Sequence, residues 1–318
     1  MIEIQKLISS LNPEVPVYIQ THNFPDHDAV ASAFALKSFL NQFNIKSILI
    51  YEGEIQRDSL KNMIKALKID IRHSDEYNLT AEDKIIIVDG CKHNKNVTDL
   101  IGDEIAVIDH HNVDSPDDVP FCDIRSDYGA CSSVIFSYFQ ESDIEITHNV
   151  ATALMIGINM DTALLTRDVS SHDVAAYSTL YSLADMRLVN TILRNYIQVK
   201  DLKFYKDAIN NLRITRNFAF CYFKDGCNQN LLGILGDFVL SLKEIDFAVL
   251  CAENNGKINF SIRNENPEWN AAAIVETILQ GIGFGGGHTD MAGGIITNLS
   301  LFNENDIYNR FLAHLNIK

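Results

Sequence analysis

Acidic and histidine side chains recur in four short segments of the chain, each beside an apolar run. The first segment, THNFPDHDAVAS, follows a β-like run at Pro16–Gln20 and contains His22, Asp26 and Asp28. The later segments are IIIVD ending on Asp89, IAVIDHH ending on Asp109, His110 and His111, and GINMD ending on Asp161. Open α/β sheets bind ligands at the carboxyl ends of their strands. We therefore expect strands to bring these side chains to one edge of a sheet.

These side chains have the chemistry of a divalent metal site. Carboxylates and imidazoles bind the cations that activate water on phosphate esters. Two such ions lie ~3.5–4 Å apart and need a carboxylate that bridges them. Asp26 and Asp28, two positions apart in a predicted extended loop, would each face one ion. Asp89 is placed to bridge the ions, and His110 and Asp161 would complete the ligands of the second.

Each motif has a simpler interpretation when it is taken alone. An Asp after a strand is common as a helix N-cap, which would explain Asp28 or Asp89. Asp161 could be a turn or cap residue, and His110-His111 an ordinary surface pair. Four such motifs in one order favour a metal site over these separate explanations.

Two further sets of polar residues lie close to the motifs. We interpret His27 as a stray polar residue rather than a substrate contact. Asp114, Asp117 and Asp118 follow the Asp-His-His run and are more typical of a flexible acidic loop than of further ligands.

Alternating strand and helix patterns must position the motifs. In the first half, predicted strands at Pro16–Gln20, Ser47–Tyr51, Ile105–Ile108 and before Asp89 alternate with predicted helices at Ala29–Phe43 and Ser59–Leu67. This order indicates βαβ crossovers and a parallel sheet. The pattern is helical from Ala130 to about Asn195, and the second half is typical of a smaller α/β domain on a mixed sheet. We predict domains at 1–195 and 211–318, joined by a linker at 196–210.

Composition limits the classes of function. With 318 residues, 47% of them hydrophobic and 21% charged, the chain can form two domains with full cores. The net charge of −16 argues against a protein that grips long duplex nucleic acid. It does not exclude small anionic substrates, because bound cations reverse the local field. The six cysteines lack CxxC spacing and no signal peptide or membrane span is evident, which favours reduced thiols in a cytoplasmic protein.

A glycine-rich run, GIGFGGGHTDMAGG, spans Gly281–Gly294. Gly281, Gly283 and Gly286 match the G-x-G-x-x-G pattern of dinucleotide binding, which needs a strand before it and a helix after it. Here a predicted helix precedes the run and a predicted strand follows it, so the dinucleotide interpretation fails. By itself, the run is best interpreted as a turn that ends the helix.

The four acid and histidine motifs, in this order, resemble those of the DHH phosphoesterase superfamily, named for the run found here at Asp109–His111. The glycine run resembles the GGGH element of the DHHA1 domain. The chain is therefore similar to the branch that includes NrnA-type oligoribonucleases and 3′-phosphoadenosine 5′-phosphate phosphatases. The resemblance covers nearly the whole chain. It implies a parallel-sheet DHH domain and a smaller DHHA1 domain with an active-site cleft between them. Homodimers occur in the family, although the sequence carries no interface signature.

The resemblance also implies a cofactor and roles for single residues. Two divalent ions, manganese in the family, would be held by His22, Asp26 and Asp89 and by Asp28, Asp89, His110 and Asp161. His111 would contact the scissile phosphate, Asp109 would orient the neighbouring histidine, and a water between the ions would be the nucleophile.

Substrate contacts are implied in the second domain. Arg263, in a strand that resembles the Ser-x-Arg strand of the family, would bind a phosphate bidentately. The backbone N–H groups of Gly285, Gly286 and Gly287 would approach an anion closely, and His288 would donate to a phosphate oxygen. Arg167 would face the same cleft, or else lie in a surface turn with Asp168. For Arg263 taken alone, a solvated strand-end position would be the simpler interpretation.

The sequence departs from the family pattern at two places. Ala31 replaces the usual glycine before the first-motif serine, which leaves the ligands intact and bears on helix packing. Thr289-Asp290 replaces a basic residue after the GGGH element, which bears on substrate preference.

The expected activity is metal-dependent hydrolysis of short oligoribonucleotides, of 3′-phosphoadenosine 5′-phosphate to AMP, or of both. The alternatives, in order, are hydrolysis of a linear or cyclic dinucleotide, hydrolysis of polyphosphate or pyrophosphate, and a non-catalytic nucleotide sensor. The expected partners are short RNA or nucleotides, with no long duplex and no membrane.

Overall fold

Two six-stranded sheets organise the fold, one in each of the units Met1–Tyr196 and Ile197–Lys318. The structure is a computed structural model that describes residues 3–194 and 197–317. One sheet is parallel and the other is mixed, so the predicted α/β class and the predicted sheet types are both confirmed.

The first unit contains a parallel sheet. Its strands are β1 (Val17–Thr21), β2 (Ser47–Tyr51), β3 (Ile71–His73), β4 (Lys84–Val88), β5 (Asp103–Asp109) and β6 (Phe121–Ile124). Its helices are α1 (Glu3–Ser10), α2 (His27–Asn41), α3 (Asp58–Leu67), α4 (Cys131–Glu141), α5 (His148–Asp161), α6 (Ser171–Tyr181) and α7 (Met186–Arg194). The strand order is β3-β2-β1-β4-β5-β6. Since that order reverses between β1 and β4, a crevice opens above the carboxyl ends of these two strands.

Burial on both faces explains why the strands of this sheet are continuous apolar runs. Ile85, Ile86, Ile87 and Val88 of β4 are all buried, as expected for a central parallel strand. Helix α2 is buried on most of its surface and packs against α4 and α5 as well as the sheet. A helix held on several sides fixes the position of its first turn, which lies beside the crevice.

The second unit contains a mixed sheet. Its strands are β7 (Arg213–Thr215), β8 (Phe218–Phe223), β9 (Phe247–Asn254), β10 (Lys257–Asn264), β11 (Phe284–Gly287) and β12 (Met291–Ile296). Its helices are α8 (Leu202–Asn211), α9 (Gln229–Leu240), α10 (Ala271–Leu279) and α11 (Glu304–His314). The order is β11-β12-β10-β9-β8-β7, with β8 and β9 parallel and the other pairs antiparallel.

Several local predictions were wrong. GINMD is the end of helix α5, as the helical pattern predicted from Ala130 to about Asn195 requires, and not the end of a strand, as the short segment alone was interpreted. The glycine run contains a strand, β11, where a turn was expected. The predicted linker 196–210 is largely helical in its described part, since α8 buries Ala208 and packs Phe204 and Tyr205 against the second unit's core. Strand β6 and helix α9 were not predicted.

Among residues 3–194 and 197–317, none of the helices has the length and apolar character needed to cross a membrane. The six cysteines carry free thiols, and five of them are buried, with Cys122 partly exposed.

Candidate metal centre

The first motif is positioned by the junction between β1 and α2. His22 follows β1 directly, and Asp26 is the N-cap of α2, where its Oδ1 accepts from the N–H groups of Asp28 and Ala29 at 2.9 and 3.1 Å. Asp28 therefore lies in the first helical turn, so the predicted extended loop was wrong. The carboxylate of Asp26 therefore faces His22, whereas that of Asp28 faces the start of helix α4.

Asp28 is fully buried against the start of helix α4. Its Oδ2 accepts from the N–H of Cys131 at 2.7 Å, and its Oδ1 accepts from the N–H of Ser132 at 3.0 Å. These are otherwise unpaired amides at the positive end of the helix dipole, which favours a carboxylate there. Gly157 of α5 makes this approach possible, because a Cβ on it would lie 2.7 Å from Asp28 Oδ1.

Ala31 fits the same packing. The ideal Cβ of Gly157 would lie 3.2 Å from Ala31 Cβ, so α5 provides the space that the usual glycine of α2 would have left. The departure from the family pattern at this position is therefore compatible with the site.

Two imidazoles are oriented by main-chain carbonyl groups. The Nδ1 of His22 lies 2.9 Å from the carbonyl oxygen of Asn23, and the Nδ1 of His110 lies 3.2 Å from that of Tyr128. A hydrogen bond from Nδ1–H to a carbonyl leaves Nε2 as the lone-pair nitrogen. Both histidines thus present Nε2 as a ligand atom, which is the arrangement common in metal sites.

Asp89 lies between the two imidazoles. It follows β4 in the left-handed conformation, with φ +57°, and its N–H donates to the carbonyl of Ile108 at 2.9 Å. Its Oδ2 lies 3.7 Å from Nε2 of His22, and its Oδ1 lies 3.4 Å from Nε2 of His110. An Asp tolerates this backbone conformation better than most residues, and here it directs a buried carboxylate into the crevice.

Asp161 completes the arrangement from the end of helix α5. Its Oδ2 lies 3.0 Å from Nε2 of His110. Three overlapping groups of donor atoms result, each within 4.8 Å: His22, Asp26 and Asp89; Asp28, His110 and Asp161; and Asp89, Asp109, His110 and His111. Asp89 and His110 each belong to two of the groups.

Asp109 is buried beneath His111 and is bonded to it. Asp109 Oδ1 lies 2.8 Å from Nδ1 of His111 and accepts from the N–H groups of His110 and His111 at 2.8 and 3.2 Å. This bond raises the pKa of His111. Burial opposes ionisation of Asp109, but its bond with His111 outweighs burial and lowers the pKa of the Asp109 carboxyl. The His111 side chain remains 37% exposed, so part of its ring is accessible from solvent.

The buried charged groups of the centre shift one another's pKa values. Burial, followed by the carboxylates of Asp89 and Asp161, raises the pKa of Asp28 well above its usual range. Burial also raises the pKa of Asp161. Burial lowers the pKa of His22, but Asp26 and Asp89 outweigh it and raise that pKa to about 10. The pKa of His110 is raised in the same way by Asp161 and Asp89, against the effect of burial.

The donor set fits divalent cations. Asp89 Oδ1 and His110 Nε2 are buried and make no hydrogen bond of proper geometry within residues 3–194 and 197–317, although they lie 3.4 Å apart and Asp161 Oδ2 lies 3.0 Å from the same nitrogen. Unsatisfied buried polar atoms are costly, and a cation between them would remove that cost. Carboxylates and imidazoles in overlapping groups, with Asp89 shared, match the needs of a two-ion site.

Two other residues of the first unit occupy positions that the sequence left open. Arg167 donates from Nη2 to the main-chain oxygen of Asp161 at 3.1 Å, so its guanidinium lies beside the centre. His27 is fully buried in α2, and neither ring nitrogen has a hydrogen-bond partner among the described residues. Because it has no exposed surface, His27 is not a direct substrate contact in this conformation.

The glycines of the second unit have mainly a packing role. A Cβ on Gly285 would lie 2.8 Å from Val275 of α10, and one on Gly287, at φ +144°, would lie 2.5 Å from the Met291 carbonyl oxygen. Of the three glycines of the GGGH element, Gly286 alone has no such neighbour, with Glu276 Oε1 at 3.7 Å. His288 is exposed, and its main chain pairs with Met291 and Ala272.

Arg263 is already engaged within its own unit. Its Nε donates to Asp237 Oδ1 at 2.5 Å, and Nη1 donates to Ser261 Oγ at 3.1 Å and the Ile262 carbonyl at 3.0 Å. A longer contact of 3.3 Å joins Nη2 to the Gly233 carbonyl. A guanidinium has five N–H donors. The predicted bidentate grip on a phosphate would therefore require at least one of these bonds to break.

Comparison with known proteins identifies both domains. Residues 16–158 match the model of the DHH family, N-terminal domain, and residues 215–315 match that of the DHHA1 domain. The chain contains a DHH-family N-terminal domain and a DHHA1 domain. Its metal-ligand candidates from His22 to His111 lie inside the matched DHH region, and Asp161 lies just after it.

Related proteins support this assignment. An uncharacterized protein of Methanocaldococcus jannaschii is 30% identical over 290 residues, which are 91% of this chain and 59% of that protein. A manganese-dependent inorganic pyrophosphatase of Methanothrix thermoacetophila is 27% identical over 151 residues, 46% of this chain and 48% of that protein. The chain thus spans only about half the length of these relatives. The crystal structure of an exopolyphosphatase-related protein from Bacteroides fragilis has the same fold, with a TM-score of 0.78, 19% identity and coverage of 98% of this chain and 94% of that one.

Sequence reasoning missed three contributors to the DHH domain site. Tyr128 supplies a carbonyl to His110, Gly157 makes room for Asp28, and Arg57 lies close enough to lower the pKa of Asp26, after the larger effects of burial and His22. The first two act through main-chain atoms or a missing side chain. No residue type signals those functions in a single sequence.

Proposed function

We propose that this chain is a two-metal phosphoesterase. The observation that carries the proposal is the sharing of Asp89 and His110 among three overlapping donor groups. We assign His22, Asp26 and Asp89 to one ion and Asp28, Asp89, His110 and Asp161 to the other. When bound, the ions supply Lewis-acid activation of water and of the phosphoryl group.

The residues around the ions have separate tasks in this proposal. Asp109 holds His111 in one orientation through Nδ1, and Nε2 of His111 donates a hydrogen bond to a phosphoryl oxygen. Burial of Asp89 and Asp28 excludes bulk water from the centre and strengthens its electrostatic interactions. Manganese is the proposed metal, which agrees with the name of the pyrophosphatase relative.

The proposed substrates are short oligoribonucleotides, 3′-phosphoadenosine 5′-phosphate, or both. The net charge of −16 disfavours long nucleic acid, and the presence of a DHHA1 domain supports a nucleotide substrate. We assign Gly286 and His288 of that domain to substrate contact, because Gly286 has no packing neighbour that explains it and His288 is exposed. The role of Arg263 depends on release of its internal bonds.

A second candidate is hydrolysis of pyrophosphate or polyphosphate. The similarity to a manganese-dependent inorganic pyrophosphatase over 46% of this chain favours it. That match covers 151 residues, so it concerns only part of the chain.

Product release with added Mn²⁺ tests both candidates. The panel is a short RNA, 3′-phosphoadenosine 5′-phosphate, a linear diguanylate, pyrophosphate and polyphosphate. We expect turnover of the RNA and the adenosine bisphosphate, and a loss of more than about 100-fold in Asp89→Ala, since even outer partners of metal ligands cost about 10–100-fold.

The matched control is Glu82→Ala, which removes an exposed carboxylate near the start of β4, at the other end of the strand that precedes Asp89. Turnover of pyrophosphate or polyphosphate alone would favour the second candidate. An active Asp89→Ala variant would overturn the two-metal proposal.

A further inference from the structure

Phe24 is an exposed aromatic residue within the first metal-binding motif. It is 54% exposed and lies one residue from Pro25 and two from both His22 and Asp26. Two residues span at most about 7 Å of chain. Its backbone is therefore within one nucleotide's length of two proposed metal ligands.

Hydrogen bonds hold the main chain that carries this ring in an unusual conformation. Phe24 has φ +55°, a left-handed conformation that is uncommon for a bulky side chain. Its N–H donates to the Glu52 carbonyl at 2.8 Å, and the preceding N–H, of Asn23, donates to the Asn96 carbonyl at 2.6 Å. The side chain of Asn23 also accepts from the Thr98 N–H at 3.0 Å. Three hydrogen bonds thus anchor the loop that presents the ring.

Gly53 supports the ring from beneath. A Cβ at Gly53 would lie 2.8 Å from Cδ1 of Phe24, so the ring packs directly on the glycine backbone. Gly53 follows β2, the neighbour of β1 on the side away from β4. The ring thus extends from the metal centre over the carboxyl end of β2, with its remaining surface open to solvent. Burial of the ring does not explain this arrangement.

A cation lies on the same side of the centre. Arg57, the residue before helix α3, is exposed, and no ion pair joins it to a carboxylate among residues 3–194 and 197–317. It lies in the loop that joins the carboxyl end of β2 to α3, and this loop also contains Gly53, on which the Phe24 ring packs.

We propose that Phe24 and Arg57 form a nucleotide-recognition subsite beside the metal centre, in which Phe24 stacks on the base and Arg57 binds a phosphate oxygen. Aromatic side chains stack on any base, and a guanidinium is suited to phosphate. The subsite rests on the proposed function and sharpens it. Pyrophosphate and polyphosphate contain no base on which the ring could stack. Phe24 therefore favours the binding of nucleotides over inorganic substrates.

Calorimetric titration with Mn²⁺ present tests the subsite without relying on turnover. The ligands are AMP and ribose 5-phosphate, which share a sugar phosphate and differ in the base. We expect the wild-type protein to bind AMP about tenfold or more tightly than ribose 5-phosphate, in the range of one stacked base. Phe24→Ala should bring this ratio below about threefold, and Phe24→Trp should retain it. Arg57→Gln should lower the affinity for AMP and for ribose 5-phosphate by a similar factor.

The matched control is Ile101→Ala, which removes another exposed apolar side chain, 68% exposed, just before β5 at the opposite end of the sheet. It should leave the ratio unchanged. A wild-type ratio near one, or a ratio unaltered by Phe24→Ala, would overturn the subsite. A large ratio in a protein that hydrolyses none of the substrate panel would retain the subsite and reject the proposed catalysis, so the two failures are distinguishable.

Discussion

The metal centre of the first unit and the glycine strand of the second unit carry equally recognisable motifs, but their polar groups are in opposite states. At the metal centre, Asp89 Oδ1 and His110 Nε2 are buried and lie close to other polar groups, but make no hydrogen bond of proper geometry with any described residue, and neighbouring charges shift the pKa of His110. In the second unit, Arg263 is bonded to Asp237, Ser261 and main-chain carbonyls. Buried polar atoms without hydrogen bonds are expected in a site that binds cations, whereas a region organised by packing has few of them.

The two regions also use special backbone positions for different purposes. Asp89 adopts φ +57° and directs a carboxylate into the crevice. Gly287 adopts φ +144°, and Gly285 and Gly287 allow α10 and β12 to approach closely. Strain at the first position serves a functional side chain, while the glycines of the second region are explained by packing at all but Gly286. The comparison therefore predicts large functional effects in the first region and mainly stability effects in the second.

After Asp89→Ala, the largest effect is expected for Asp109→Asn. The amide retains the shape of the side chain but can present N–H to Nδ1 of His111, where the carboxylate accepts at 2.8 Å. His111 would then favour the other tautomer. We expect kcat for the favoured substrate to fall by about 10–100-fold, the range for outer partners of metal-site histidines.

The control for this variant is Mn²⁺ affinity, which calorimetry should show within about threefold of the wild-type value. The pH profile of kcat should also change, because the carboxylate raises the pKa of His111. An unchanged kcat and pH profile would remove Asp109 from the proposed mechanism.

A second prediction concerns pH and metal affinity. In the metal-free protein, nearby carboxylates outweigh burial and raise the pKa of His22 to about 10, and that of His110 is also raised. His22 is then protonated near pH 7, and the protonated form of His110 is favoured; an imidazole that carries the extra proton must lose it before its Nε2 can bind a metal. Apparent Mn²⁺ affinity should therefore rise with pH, by up to about tenfold per pH unit for each proton released.

Titrations at about pH 6, 7 and 8 measure this slope. Calorimetry in two buffers with different ionisation enthalpies counts the released protons directly. Affinity that does not depend on pH would show that the histidines are neutral in the metal-free protein, and would contradict the electrostatic description of the first region.

The sequence predicted the parallel sheet well because its strands are apolar runs bounded by polar residues. The run SILIY coincides with β2 at both ends, and the runs before Asp89 and through Ile108 mark β4 and β5. It also identified His22, Asp26, Asp28, Asp89, Asp109, His110, His111 and Asp161, which the structure brings together. Those residue types carry recognisable chemistry.

The remaining features could not be predicted because they arise only in three dimensions. Asp161 reaches the centre from a helix end, and although the wider pattern from Ala130 predicted a helix there, the short run GINMD does not by itself distinguish a helix end from a strand end. The contact of Tyr128 with His110 uses a main-chain carbonyl, which every residue possesses. The bond between Arg263 and Asp237 joins residues 26 positions apart, and nothing in the Ser-x-Arg pattern indicates it.

The smallest effect is expected at Arg263 and distinguishes packing from recognition in the second unit. Arg263→Ala removes hydrogen bonds to Asp237, Ser261 and the main chain between α9 and β10, and leaves polar groups without partners. We expect the free energy of unfolding to fall by about 1–3 kcal/mol, as for hydrogen bonds to charged groups. Thermal and denaturant unfolding measure it. Asp237→Ala should cost less than about 1 kcal/mol, because Asp237 is 64% exposed and its ion pair is partly screened.

Nucleotide affinity measured on the same two variants completes the test. If Arg263 acts through packing, both variants bind AMP within a few-fold of the wild-type protein. If Arg263 instead binds phosphate, Arg263→Ala lowers the affinity for AMP by about tenfold or more, as expected for the loss of a charge-assisted hydrogen bond. Asp237→Ala would then bind at least as well as the wild type, since removal of the carboxylate releases Nε of Arg263. A stable Arg263→Ala variant that no longer binds AMP would therefore reverse the contrast between the two regions.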